Sequence, residues 1–114
     1  MTPWQPLTQS EQLTDIVQES FEQPIIIFKH STTCSISAAA KAKLERQWSE
    51  AGLETAKLYY LDLLRFRPIS NEIAEKFGIR HESPQLLVIQ NGECRHDASH
   101  MGIRLSDVKQ VVAS

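Results

Sequence analysis

No stretch of this chain stays apolar for anything close to the roughly 20 residues that a bilayer-spanning helix requires, so a membrane-embedded protein is not expected. The start, Met1-Thr2-Pro3-Trp4, lacks a basic segment followed by an apolar core, and no signal peptide is read there. Cysteine is scarce: Cys34 and Cys94 are the only two, too few for a disulfide framework. A reducing, cytoplasmic compartment is therefore the expectation. The four glycines form no phosphate-cradling loop, and no basic–aromatic stripe suggests a nucleic-acid partner. Neither sign of charge dominates, with 12 Lys and Arg against 14 Asp and Glu, so no polyanion or anionic lipid surface is implied as a partner. There is no repeat and no low-complexity tract. What remains is 114 residues of ordinary globular composition, expected to form a single domain over 1–114 with its own core.

The informative stretch runs from Pro24 to Lys43. Ile25 to Phe28 is short, apolar and β-branched, which reads as a buried strand. Ala38 to Arg46 is a strong helix former. Between them lies Ser31-Thr32-Thr33-Cys34, rich in residues that cap helix starts. Cys34 is thus expected in the first turn of a helix that leaves a strand. Backbone N–H groups at that point have no internal partner and carry the positive end of the helix dipole. They stabilise thiolate over thiol and lower the thiol pKa. Against this stands the commoner role of cysteine as a small buried apolar residue.

The rest of the chain alternates. Thr8 to Phe21 has Leu13, Ile16, Val17 and Phe21 on a helical stripe, with Thr8 or Ser10 as caps and Trp4 under its start. The helix after Cys34 is expected to run to about Ala51 and stop at Gly52, with Ala42, Leu44 and Trp48 inward. Thr55 to Leu64 contains a second strand, parallel to the first through a right-handed crossover. Pro68 suits the start of a helix over Ile69 to Phe77, with Ile73, Ala74 and Phe77 inward and Gly78 ending it. Gln85 to Gln90 is a third strand, Asn91-Gly92 a hairpin turn, Glu93 to Ala98 the return strand, and Leu105 to Ala113 a last helix. The order α, β, α, β, α, β, β, α predicts an α/β fold: a central mixed four-stranded sheet with helices on both faces and an extra N-terminal helix.

That order, with a cysteine between strand and helix and Pro84 before the third strand, resembles the thioredoxin fold over nearly the whole chain. Phe77 to Glu93 is similar to the segment around the thioredoxin cis-proline. Phe28-Lys29-His30-Ser31-Thr32-Thr33-Cys34-Ser35-Ile36-Ser37, together with Ala98-Ser99-His100, resembles the monothiol bacilliredoxins, which carry a Thr-Cys-x-x-Ser site. The resemblance implies an oxidoreductase with Cys34 as nucleophile, acting on bacillithiol mixed disulfides. It implies no tightly bound cofactor, with bacillithiol as co-substrate. Partners would be bacillithiol, S-bacillithiolated proteins and another redoxin or reductase that regenerates the enzyme. Where dithiol thioredoxins have a second cysteine this chain has Ser37, which cannot expel a mixed disulfide but can donate a hydrogen bond to the Cys34 thiolate. Thr33 replaces an aromatic, Ile36 a proline, and Phe28 a buried carboxylate. A cis bond before Pro84 would expose the Ser83 backbone to pair with substrate.

Strand directions bring further residues to the same edge. The return strand would deliver Ser99 and His100 beside the site. Arg65 and Arg67, after the second strand, either border it as anion contacts for the bacillithiol carboxylates or form a solvated loop face. His30 either lowers the Cys34 pKa or packs as a hydrogen-bonded side chain. Cys94, just past the hairpin turn, is expected far from Cys34 and so a strand cysteine and not a resolving one. Cys94, His96 and His100 offer three possible metal ligands: 94 and 96 would share a strand face with His100 beyond it, and no metal is expected. Two other functions fit the same residues. One is a monothiol glutaredoxin-like protein using glutathione. The other is a thioredoxin-like binding module without turnover.

Overall fold

The computed structural model describes residues 5–30, 42, 56–80, 82, 84–99, 103 and 105–113. Among them are five strands, β1 (Gln5–Pro6), β2 (Ile25–His30), β3 (Lys57–Asp62), β4 (Gln85–Gln90) and β5 (Glu93–Ser99). Three helices are α1 (Glu11–Glu19), α2 (Arg67–Phe77) and α3 (Leu105–Ala113). The strands form one sheet in the order β1-β3-β2-β4-β5. β1, β3 and β2 are parallel to one another, and β4 and β5 run antiparallel to their neighbours.

All six residues of β2 are buried, because helices cover both faces of the centre of the sheet. Period-two alternation divides its side chains. Ile25 and Ile27 join Leu13 and Ile16 of α1 and Ile69 and Ile73 of α2 in one apolar cluster. Ile26 and Phe28 join Leu58, Leu86, Val88 and Val108 of α3 in the other. The sheet thus separates two cores, one roofed by α1 and α2 and one by α3.

Each expected strand and turn is present, with β2 continuing two residues past Phe28 to His30. Asn91 and Gly92 both take positive φ, 54° and 78°, the two left-handed residues that a tight hairpin turn demands. Gly78 ends α2 at φ 67°, and Pro68 stands in its first turn.

Four details differ. The sheet has five strands, not four, because Gln5–Pro6 adds to the β3 edge and is continued by a hydrogen bond from Leu7 N–H to the Tyr60 carbonyl at 2.8 Å. Two residues, one of them proline, carry no alternation to read. α1 ends at Glu19, so Phe21 leaves the apolar stripe and is 62% exposed. Ser10 does not cap α1: its hydroxyl donates to Glu72 of α2 at 2.6 Å, while Gln12 Oε1 accepts from the backbone of Thr8 and Gln9. Ala42 is helical but exposed instead of inward, since the surrounding alanines offer no contrast from which to choose a face. Trp4, Leu44, Trp48 and the stop at Gly52 lie outside the described residues.

Candidate active site at the open end of β2

Because β2 and β3 are parallel and in register, His30 lies beside Asp62 and both strands finish at one edge of the sheet. β4 begins at that edge, with Gln85 paired to Lys29. β5 ends there, with Ser99 paired to Gln85. The end of β2, four residues before Cys34, and the start of β4, directly after Pro84, therefore lie side by side. Pro84 is buried and Ser99 half-buried. The Ser99 hydroxyl donates to the Glu82 carboxylate. Thr33, Cys34, Ser37, Ser83 and His100 lie outside the described residues.

His30 is buried, packed by its ring. It stacks on Phe28 at 6.0 Å between centroids and leans on Tyr60 at 5.6 Å. Phe28, at the position where the resemblance puts a carboxylate in thioredoxins, is fully buried in the α3-side core. An aromatic column thus underlies the end of β2 on that face. Arg65 and Arg67 are both exposed, and Arg65 lies over the Phe66 ring at 5.5 Å.

The opposite face of the same edge holds polar groups that the sequence reading missed. Lys29 is 0% exposed and Gln85 1%. Their register pairing turns both toward the α1–α2 side. The Lys29 ammonium donates to the Ser70 carbonyl of α2 at 3.4 Å. Burial pushes its pKa down to about 8, with the Arg67 charge acting in the same direction and Cys94 against it. Gln85 donates from Nε2 to the Arg80 carbonyl at 2.9 Å, while its Oε1 is buried without a hydrogen-bond partner among the described residues. A signal existed: Lys29 follows Ile25 and Ile27 at period two in a strand covered on both faces. Ending that strand at Phe28 concealed it.

Cys94 is a free, half-buried thiol paired with Ile89, which is level with Ile25 at the start of β2. The five residue steps of β2 put ~17 Å of strand between that level and His30. Burial drives its pKa up to about 11, against backbone hydrogen bonding at His96 and Val88 that lowers it, and its thiol donates to the His96 carbonyl at 3.3 Å. Cys94 and His96 do not share a face. A bulge between Val88 and Ile89 pairs Cys94 with Ile89 and His96 with Val88, so the two side chains part to opposite sides of the sheet. A one-residue bulge leaves no mark in an alternating pattern.

Parallel β3 and β2, antiparallel β4 and β5, helices on both faces and a proline heading β4 define a protein of the thioredoxin fold. Solved structures agree. One, described provisionally as an oxidoreductase with a thioredoxin fold, superposes with TM-score 0.81 at 30% identity, over 95% of this chain and 92% of the other. Thioredoxin f from spinach chloroplast gives TM-score 0.74 at 14% identity, over 97% and 87%. A mutant thioredoxin from Halobacterium salinarum gives 0.66 at 14%, over 96% and 87%. The family model of the monothiol bacilliredoxin BrxC matches residues 5–108, and the chain belongs to that family. Its function is thiol redox chemistry. Among the described residues no helix is long and apolar enough to cross a membrane.

Proposed function

We propose that the protein removes bacillithiol from protein mixed disulfides, with Cys34 as the one sulfur of its own that attacks. The observation that carries the reading is the shared edge, where the end of β2 and the start of β4 at Gln85 lie in register, next to the buried Pro84. The Cys34 thiolate attacks the bacillithiol sulfur of the mixed disulfide. The protein sulfur leaves as a thiolate and takes a proton from water. Bacillithiol is then disulfide-bonded to Cys34. A second bacillithiol thiolate, or the thiolate of a partner redoxin, attacks the bacillithiol sulfur of that adduct, forming bacillithiol disulfide or a redoxin–bacillithiol mixed disulfide and releasing Cys34 as the thiolate. Electrons balance at each exchange, because one disulfide is broken for each one formed.

Each further residue has a part. Ser37 donates a hydrogen bond to the Cys34 thiolate. Ser83 and a cis-Pro84 present backbone to the substrate, and Thr33, Ser99 and His100 border the bacillithiol moiety. No bound cofactor takes part, and a cytoplasm supplies the reduced small thiol.

The test is release of bacillithiol from a bacillithiolated protein by wild type and by Cys34→Ala. Wild-type release that Cys34→Ala abolishes is the expected result, and equal release by both ends the proposal. Running glutathionylated protein in parallel names the small thiol.

A further inference from the structure

Gln85 and Ser99 occupy one row of the sheet, in register on neighbouring strands and turned to the same face. Each reaches back to the segment that enters Pro84. Gln85 Nε2 donates to the Arg80 carbonyl at 2.9 Å, and Ser99 Oγ donates to the Glu82 carboxylate. The two grips fall on alternate residues of one short run and come from two different strands. Gln85 is almost completely buried and, among the described residues, keeps an unpartnered acceptor, Oε1, to make its grip. An apolar side chain of the same size would fill that space without leaving such an atom. Buried polar groups that stay unsatisfied call for a reason beyond packing.

We propose that Gln85 and Ser99 are positioning residues that preset the backbone entering Pro84 for a mixed-disulfide substrate. They act through Arg80 and Glu82 respectively. The proposal rests on the release reaction above and adds to it the device that fixes its docking edge. A backbone that is already ordered loses less freedom when an extended substrate pairs with it. The clamp therefore acts on substrate binding and leaves the reactivity of the Cys34 sulfur unchanged.

The experiment compares Gln85→Met, Ser99→Ala and Ser99→Thr in the full chain. Release from a bacillithiolated protein is followed across substrate concentration, and alkylation of Cys34 by iodoacetamide is followed alongside. Gln85→Met and Ser99→Ala should raise the half-saturating substrate concentration roughly tenfold with little change in the maximal rate. Their alkylation rates should stay within about twofold of wild type. Ser99→Thr, which keeps the hydroxyl, should restore most of the half-saturation that Ser99→Ala loses. Amide exchange of the peptide spanning 80–84 should quicken in the first two variants. That readout needs no substrate, so it tests the clamp even where the release reaction itself fails. Unchanged half-saturation, a Thr variant as impaired as the Ala variant, unchanged exchange, or alkylation falling in step with release would each overturn the proposal. If Gln85→Met does not fold, the Ser99 pair decides the question alone.

Discussion

The Lys29 ammonium in β2 lies 3.4 Å from the Ser70 carbonyl in α2, inside the core that the sheet shares with α1 and α2. Both residues are 0% exposed. Arg67 stands one helical turn before Ser70 and opposes the Lys29 charge. A cation kept in such a place costs the folded state free energy whenever it is protonated.

The pH dependence follows from that cost. Lys29 loses its proton at about 8 in the folded chain, against an ordinary value of 10.5. Between those values the unfolded chain holds a proton that the folded chain has released, so this residue makes stability rise with pH across that window. Below pH ~8 its penalty is constant, on the order of 3 kcal/mol. Lys29→Met should therefore stabilise the protein by about 1–3 kcal/mol at pH 7 and by much less at pH 10. Urea titrations of both proteins at the two pH values measure this. An equal difference at both pH values would show that Lys29 is not held as a strained cation.

Gly92 is the second residue of the hairpin turn, at φ 78°, with the Phe21 ring packed over it. A Cβ there would meet Phe21 Cζ at 3.0 Å. The ring is 62% exposed and can swing away, so backbone strain is the larger of the two effects. Gly92→Ala should cost about 1–2 kcal/mol. Adding Phe21→Ala should recover less than about 0.5 kcal/mol of that. A double-mutant cycle in urea separates the two. Full recovery would make the ring contact, not φ, the cause.

The strands were legible because their residues announce them: Ile25 to Phe28 by β-branching, and Gln85 to Gln90 by its apolar run before Asn91-Gly92. Pro68 and Gly78 mark the two ends of α2 as their backbone limits require. What could not be read falls into two kinds. β1 and the bulge beside Cys94 are pairing events one or two residues long, set by neighbours distant in sequence. The polar row of Lys29, Gln85 and Ser99 depends on register, and register is fixed only once the strands are paired. The residues expected to do the chemistry, Cys34 and Ser37, were named from a strand-to-helix junction and a resemblance. Of the residues expected to border them, Pro84 and Ser99 are described, the first buried and the second bonded to Glu82.

Cys94 should be a poor nucleophile. Its thiol, raised to about 11 from 9.0, leaves on the order of 100-fold less thiolate at neutral pH than an unperturbed cysteine. In Cys34→Ala, native alkylation of Cys94 by iodoacetamide at pH 7.5 should be at least ~30-fold slower than in urea. Cys94→Ala should leave release of the small thiol unchanged. Native labelling as fast as unfolded labelling would place this sulfur in solvent and reopen a redox role for it.

The strongest test of one-sulfur chemistry is to supply a second. In the proposed reaction, with Ser37 in place, the small thiol transferred to Cys34 waits for an attacker from solution. On the helix start expected at Cys34, Ser37→Cys would place a thiol one turn further on, the spacing that dithiol thioredoxins have by the resemblance. Its thiolate should attack Cys34, expel the small thiol and leave an internal disulfide. After one equivalent of bacillithiolated protein, mass spectrometry should find wild type carrying bacillithiol. The variant should carry none and be lighter by the hydrogens of the new bond. An equal yield of adduct in both would mean that positions 34 and 37 are not adjacent on a helix start, and the assignment of Ser37 beside the Cys34 thiolate would fall with it.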